Sequence, residues 1–252
     1  MKIWRLLDLE FKDPYMNLAV EEAIPRAVGE RKAPPTLRLW RNDKTVVIGC
    51  FQKAEQEVDL DTCREMGIKV VKRFTGGGAV YHDHGNLNYA LSLPKDYLGV
   101  PQDYFEIYRH ICGAVVLSLN NLGVPASFTP VNDITVNGMK ISGTAASMRW
   151  GAIFLHGCLL VSTNLEILAN VLKPPPQKFQ HKAVKSVRKR VTNISEYLGR
   201  KVSMEEVKSF IINGFSEWFS IEFETGTLTQ YEKELSKSLY STKYSRDEWN
   251  LG

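Results

Sequence analysis

Residues 132–147 read NDITVNGMKISGTAAS. Asn137-Gly138 sits between two stretches in which apolar and polar residues alternate. Both turn residues tolerate positive φ, which a two-residue hairpin demands. The stretch therefore predicts two antiparallel strands. Alternation places Met139 and Ile141 on one face and Lys140 and Ser142 on the other. A second turn signal, Trp150-Gly151, precedes another apolar run, so residues 134–161 predict a series of strands.

Outward from this core the pattern is mixed. Residues 2–8 alternate like a strand, and residues 16–30 predict a helix with Leu18, Ala19, Ala23 and Ala27 toward the core. Residues 37–41 and 45–50 read as two strands joined at Asn42-Asp43. A short helix over 58–66 and a strand over 68–74 follow, then a strand over 86–93. Residues 103–122 give the clearest helix: Phe105, Tyr108, Cys112, Val115, Leu119 and Leu122 recur every three or four residues. Asp103…Glu106, Ser203…Glu206 and Thr229…Glu232 have capping-box spacing. Helices are predicted over 165–172, 203–219 and from 229 onward, with a strand over 221–227. This order is not a regular βαβα alternation, which argues against a doubly wound Rossmann sheet. The order is mixed, strands in hairpins with helices between them, an α/β pattern of the α+β type. Pro174-Pro175-Pro176 is the best internal break; what lies beyond it reads as a subdomain or as the far side of one domain.

The chain has 252 residues, 44% hydrophobic and 24% charged, with a net charge of +4. That is ordinary globular composition, and the charge is too mild to indicate nucleic acid. No apolar run is long enough for a membrane span, and no signal-peptide pattern opens the chain. The four cysteines, Cys50, Cys63, Cys112 and Cys158, form no C-x-x-C pair, which suits reduced thiols in a cytoplasm.

The chemistry-bearing stretches are few. Residues 73–83 read RFTGGGAVYHD. This is neither a P-loop nor a dinucleotide fingerprint. Successive glycine N–H groups beside Arg73 suit an anion, a phosphate or carboxylate; a bulged hairpin with Arg73 in solvent fits the residues equally. Lys140, followed by the small residues Gly143, Ala145 and Ala146, suits a phosphate or carboxylate laid along a strand, or a plain solvated hairpin. His82 and His84 make a weak metal pair, and His156 reads as a core or edge histidine. Cys158 lies two residues from His156 but has no visible cation to activate it. Lys182, Lys185 and Lys189 form a basic stripe within 178–190.

RFTGGGAVYHD with GNLNYAL, then NDITVNGMKISGTA, LHGCLLV with NLEIL, KSVRKRVTNISE and the ending KYSRDEWN occur in this order over roughly residues 3–250. Together they resemble the catalytic domain of lipoate–protein ligase, in its archaeal form, within the biotin/lipoate ligase and octanoyltransferase superfamily. The resemblance implies an α/β fold of the α+β type, a mixed, largely antiparallel sheet flanked by helices, and a two-step reaction. Lipoate and MgATP give lipoyl-adenylate, and the lipoyl group then passes to a lysine of a carrier. It implies ATP and Mg²⁺ as cofactors. The carriers implied are lipoyl domains of 2-oxoacid dehydrogenase E2 subunits and the glycine cleavage H protein. Carried over by motif, Arg73, Gly76, Gly77, Gly78, Ala79, Val80, Tyr81, His82, Asp83, Asn132 and Asp133 would border the ATP or adenylate, with Asp133 toward Mg²⁺. Lys140 would be the catalytic lysine, touching both the lipoate carboxylate and the adenylate phosphate.

Many relatives carry an accessory C-terminal domain. Residues 1–252 are expected to be a single catalytic domain whose small accessory domain is a separate chain. Transfer from preformed lipoyl-adenylate is then expected of this chain, and adenylation from lipoate and ATP is not expected of it alone. A cysteine-dependent octanoyl- or lipoyl-transferase is the nearest alternative; the loop before the lysine strand, SFTPVND, lacks the cysteine such enzymes place there. A biotin ligase would show G-R-G-R-x-G, which is absent. A non-catalytic module binding acidic carriers through the 178–190 stripe is a third reading, with no need of an adenylate site. Neither nucleic acid nor membrane is expected as a partner.

Overall fold

The computed structural model describes residues 2–97, 99–100, 103–173, 188 and 190–252. Its strands form two sheets. The larger has eight strands in the order β11-β1-β2-β6-β10-β9-β8-β7. These are β1 (Lys2–Asp8), β2 (Thr36–Trp40), β6 (Asn86–Pro94), β7 (Ser127–Thr129), β8 (Asp133–Val136), β9 (Met139–Ser147), β10 (Ala152–Leu160) and β11 (Ile221–Thr225). Within this sheet, among the described residues, the parallel pairings are those of β1 with β2 and β11; the run from β2 to β7 is antiparallel. The smaller sheet is β4-β3-β5, from β3 (Thr45–Ile48), β4 (Lys69–Lys72) and β5 (Val80–His82). This is the mixed, largely antiparallel sheet flanked by helices that the family resemblance implies.

Both turns of the predicted strand series form. Asn137 and Gly138 have φ of 49° and 75°, and Trp150 and Gly151 have 56° and 71°. The turn at Asn42-Asp43 behaves differently. It does not join two paired strands, because β2 belongs to the large sheet and β3 to the small one. Asn42 is buried: its Oδ1 accepts from Asn17 Nδ2 at 2.9 Å, and its amide nitrogen lies 3.3 Å from His82 Nδ1. These anchors, with Lys44 at φ 39°, turn the chain out of one sheet into the other.

One face of the large sheet packs on α4 (Tyr104–Asn121) and α7 (Met204–Phe219). Leu37, Tyr89, Leu91 and Leu155 meet Ile107, Ile111 and Val115 from α4 and Ile211 and Phe215 from α7. Full burial of each such side chain contributes about 1.5–3 kcal/mol. The other face carries α1 (Pro14–Gly29), which crosses β6 and β10 and is itself covered by α8 (Gln230–Leu239). Strand β6 is therefore buried along its whole length. The small sheet is covered by α2 (Ala54–Glu57), α3 (Leu60–Glu65) and α5 (Leu165–Val171). Segments beyond the proline triplet join the main body: α6 (Ile194–Leu198) and α7 enter the core, and β11 pairs with β1. The terminal α9 (Asp247–Asn250) packs on β4.

Of the three capping boxes, only Thr229–Glu232 closes both bonds. Asp103 and Ser203 cap their helices, but Glu106 and Glu206 turn instead to Arg109 and Arg200. The proline triplet and Lys182, Lys185 and Lys189 lie outside the described residues.

Candidate functional site

A cavity of about 230 Å³ opens between α1, the small sheet and the pocket-side face of β6, β9 and β10. Three sequence-distant pieces meet in it: the glycine loop, the lysine strand and the middle of α1.

In the glycine loop, Arg73 is 5% exposed. Its Nη2 donates to Gly76 O at 2.7 Å and to Gly78 O at 2.8 Å. Its Nε reaches Gly76 O and Thr75 Oγ1, both at 3.1 Å, and Nη1 reaches Val47 O at 3.3 Å. Gly77 has φ +89°, and a Cβ there would lie 2.9 Å from Arg73 Nη2. The glycine thus supplies a left-handed turn wrapped around a guanidinium. Burial pulls the Arg73 pKa down to about 10, and the facing Glu21 charge opposes that shift, so Arg73 stays cationic at neutral pH. It lines the cavity, but its donors hold loop carbonyls.

Lys140 owes its direction to a bulge. Thr135 pairs with Lys140 and Ile134 with Ser142, which leaves Ile141 unopposed. An extra residue shifts the alternation of side chains. Ser142 accordingly shares the face of Ile141: its Oγ lies 3.1 Å from Tyr89 Oη, inside the main core. Simple alternation points the Ser142 side chain to the face of Lys140; the bulge turns its hydroxyl into the core, although Ser142 still borders the cavity. On the other side of Lys140, Val191 forms a bridge and Thr192 N donates to Lys140 O at 3.0 Å. The side chain lines the cavity, and its Nζ lies 2.7 Å from Asp133 Oδ1. Asn132 fixes the same loop, donating to Thr144 O at 2.7 Å.

From α1, Glu21 enters at 1% exposure. His156 Nδ1 is 3.0 Å from Glu21 Oε1, while His156 Nε2 is 2.7 Å from Thr75 Oγ1. The Glu21–His156 contact is close without being aligned as a hydrogen bond, and both Glu21 oxygens lack a hydrogen-bond partner among the described residues. His82 also lines the cavity. Burial, then the charges of Arg73 and His156, push its pKa down to about 3, so it is neutral. Trp40, Val47, Leu18 and Leu168 make the remaining wall apolar. Cys158 lines it as a thiol: burial raises its pKa to about 12, and Asn86 Nδ2 lies 3.0 Å from its Sγ.

Among the expected site residues, Arg73, Gly78, Ala79, Val80, His82, Asn132 and Lys140 converge on the cavity. Gly76 and Gly77 shape the loop behind it, and Asp133 touches it through Lys140. The side chain of Tyr81 is buried in the cluster under the small sheet and does not line the cavity. Asp83 is engaged at a turn, accepting from Gly85 N and Asn164 N at 2.8 and 2.9 Å. Glu21, Trp40 and Asn88 line the cavity though no sequence motif points to them, and so does His156, which the sequence reads as a core or edge histidine. Adjacent carboxylates within the apolar helix stretch NLAVEEAI were the available signal for Glu21.

A Mg²⁺ ion held by the protein alone does not fit here. Asp133 is paired with Lys140, and no group of three potential ligands occurs among the described residues. Such an ion would have to arrive on nucleotide phosphates, as Mg²⁺ commonly does.

This fold, with a glycine loop and a strand lysine facing one largely apolar cavity, is that of a lipoate-ligase-type catalytic domain. Residues 13–216 match the model of the lipoyl protein ligase A/B catalytic domain, and the chain belongs to that family. It is 41% identical to lipoate-protein ligase A subunit 1 of Thermoplasma acidophilum, covering 98% of this chain and 96% of that protein. It is 31% identical to octanoyltransferase LipM of Brevibacillus brevis, covering 100% and 99%. A solved structure described as a bi-partite lipoate protein ligase and its E2 lipoyl domain from Thermoplasma acidophilum superposes with a TM-score of 0.91 at 42% identity, covering 100% and 97%. A crystal structure of lipoate-protein ligase A bound with ATP gives 0.88 at 40% identity, covering 100% and 99%.

Proposed function

We propose that this chain is the catalytic subunit of a lipoate–protein ligase. It activates lipoate with MgATP to lipoyl-adenylate and transfers the lipoyl group to a lysine of a carrier's lipoyl domain. The observation that carries the reading is the convergence of Lys140 and the Arg73-braced glycine loop on one largely apolar cavity. Bringing a carboxylate to an α-phosphate sets two anions side by side. Fixed N–H dipoles and a cation in a water-poor site offset that repulsion. The site residues are Arg73, Gly76, Gly77, Gly78, Ala79, Val80, Tyr81, His82, Asp83, Asn132, Asp133 and Lys140. In this reading the loop N–H groups and Lys140 face the ligand, and the other groups hold these in place. In the second step the carrier amine attacks the mixed-anhydride carbonyl, the bond to the phosphate oxygen breaks, and AMP leaves. Apolar walls from Leu18, Trp40, Val47 and Leu168 shield the anhydride from water until then.

The Thermoplasma relative is a subunit of a bi-partite ligase studied with an E2 lipoyl domain. We infer the same organisation here: a separate small accessory chain needed for adenylation, and E2 lipoyl domains and the glycine cleavage H protein as carriers. Four free cysteines favour a cytoplasmic setting. Likeness to octanoyltransferases keeps acyl transfer through a thioester as the second reading. Its difficulty is Cys158, the cysteine in the cavity wall, held as a neutral thiol. The test is pyrophosphate release from lipoate and MgATP, with and without the accessory chain. Parallel reactions supply lipoyl-adenylate and a lipoyl domain. Transfer from lipoyl-adenylate in every reaction, with pyrophosphate release only when the accessory chain is present, is expected. A thioester-linked acyl enzyme would establish the second reading instead.

A further inference from the structure

We propose that Gly143 is a positioning residue for Lys140: its missing side chain leaves the trough in which the lysine's terminal atoms lie. This rests on the ligase reading and adds to it a residue that acts only through the lysine. Glycine is often required by the backbone, but here φ lies outside the left-handed region, so any L-residue could adopt the conformation. Space is the requirement instead. A Cβ at Gly143 would stand 2.7 Å from Lys140 Nζ and 2.8 Å from Lys140 Cε. The next atom met would be Asp133 Oδ1 at 3.9 Å, an ordinary contact.

Lysine and glycine are three residues apart, and in a regular strand they would face opposite ways. The unopposed Ile141 brings both to the cavity side, where each lines the wall. Strand β9 therefore uses two devices together. The bulge aims the side chain, and the glycine lets it lie back along its own strand toward Asp133. A methyl group at 143 would meet only the far end of a flexible chain, so the fold can absorb it by moving the lysine. An ångström-scale displacement of a catalytic group can cost on the order of 10²-fold.

The experiment measures affinity for a non-reactive lipoyl-sulfamoyl-adenosine, by calorimetry, in wild type, Gly143→Ala, Lys140→Ala and the double variant. Melting temperatures and the kcat and KM for transfer from lipoyl-adenylate to a lipoyl domain are recorded alongside. Gly143→Ala is expected to keep the wild-type melting temperature and carrier KM while losing about 10- to 100-fold in kcat and affinity. In the Lys140→Ala background the same substitution should change affinity no further, because residues acting through one group are non-additive. Wild-type behaviour of Gly143→Ala, or an equal loss with and without the lysine, overturns the proposal. If Gly143→Ala fails to fold, the double variant decides: recovery of folding places the clash on the lysine, and continued failure places it on the backbone and overturns the proposal. Absence of analogue binding by the wild type would sink the ligase reading itself, a separate result.

Discussion

Replacing Arg73 by lysine keeps a positive charge and removes a fork. That fork reaches four acceptors: the carbonyls of Gly76, Gly78 and Val47 and the hydroxyl of Thr75. One ammonium on a flexible stem cannot serve acceptors on opposite sides of a planar group. Two of the donations should be lost in Arg73→Lys. Charge-assisted hydrogen bonds contribute about 1.5–3 kcal/mol each, so the variant should lose about 3 kcal/mol or more of stability. The loop should also become less protected, because its carbonyls no longer point inward around a common donor. Guanidinium chloride denaturation reads the first effect, and amide hydrogen exchange at Gly76–Ala79 reads the second. Stability within about 0.5 kcal/mol of wild type, the range of an ordinary surface change, with unchanged exchange would refute the claim that Arg73 braces the loop.

Three further outcomes are expected. His82 has its folded pKa lowered to about 3 from the ordinary 6.5, so the unfolded chain binds the extra proton. The stability this neutral histidine contributes is complete above pH 6.5 and falls as pH drops toward 3, by at most about 1.4 kcal/mol per pH unit. Urea titrations from pH 4.5 to 7.5 should show that slope in wild type relative to His82→Gln; parallel curves would contradict the assignment. Glu232 is fully buried against Arg5, with contacts of 2.8 and 2.5 Å, and it also accepts from Thr229 N at 2.7 Å. Glu232→Ala leaves Arg5 buried without its charge partner and should cost about 3–5 kcal/mol in denaturant midpoint analysis. Cys158→Ser should retain lipoyl transfer, and the wild-type thiol should resist alkylation at pH 8, since burial raises its pKa to about 12. Rapid alkylation would show the cysteine to be activated.

The antiparallel half of the fold was legible because its information is local. Asn137-Gly138 and Trp150-Gly151 announce their turns whatever surrounds them. The parallel pairing of β1 with β11 joins residues more than 200 apart, and nothing at either strand names its partner. The Asn42-Asp43 turn marked where one strand ends and the next begins, but turn chemistry does not reveal which sheet the next strand enters; that depends on Asn17 and His82. The motif residues with exposed loop backbone or a long cation stood out. Glu21 and His156 did not, since each looks like a buried polar residue until α1 is laid across β10. Thr75 likewise gains meaning only from its contacts with Arg73 and His156. The bulge at Ile141, which aims Lys140, depends on pairing with β8 and leaves no mark in the alternation of residues 139–142.

The central claim is that Lys140 and the braced glycine loop serve lipoyl transfer. The most direct measurement is the intact mass of a lipoyl domain incubated with lipoyl-adenylate and either wild type or Lys140→Ala. Both proteins are to show the same melting temperature. The wild type is expected to give a carrier carrying one lipoyl group. Lys140→Ala should be slower by about 10²–10³-fold, the loss typical of removing one preorganised charge-stabilising group. A folded Lys140→Ala that lipoylates the carrier at the wild-type rate would contradict the account.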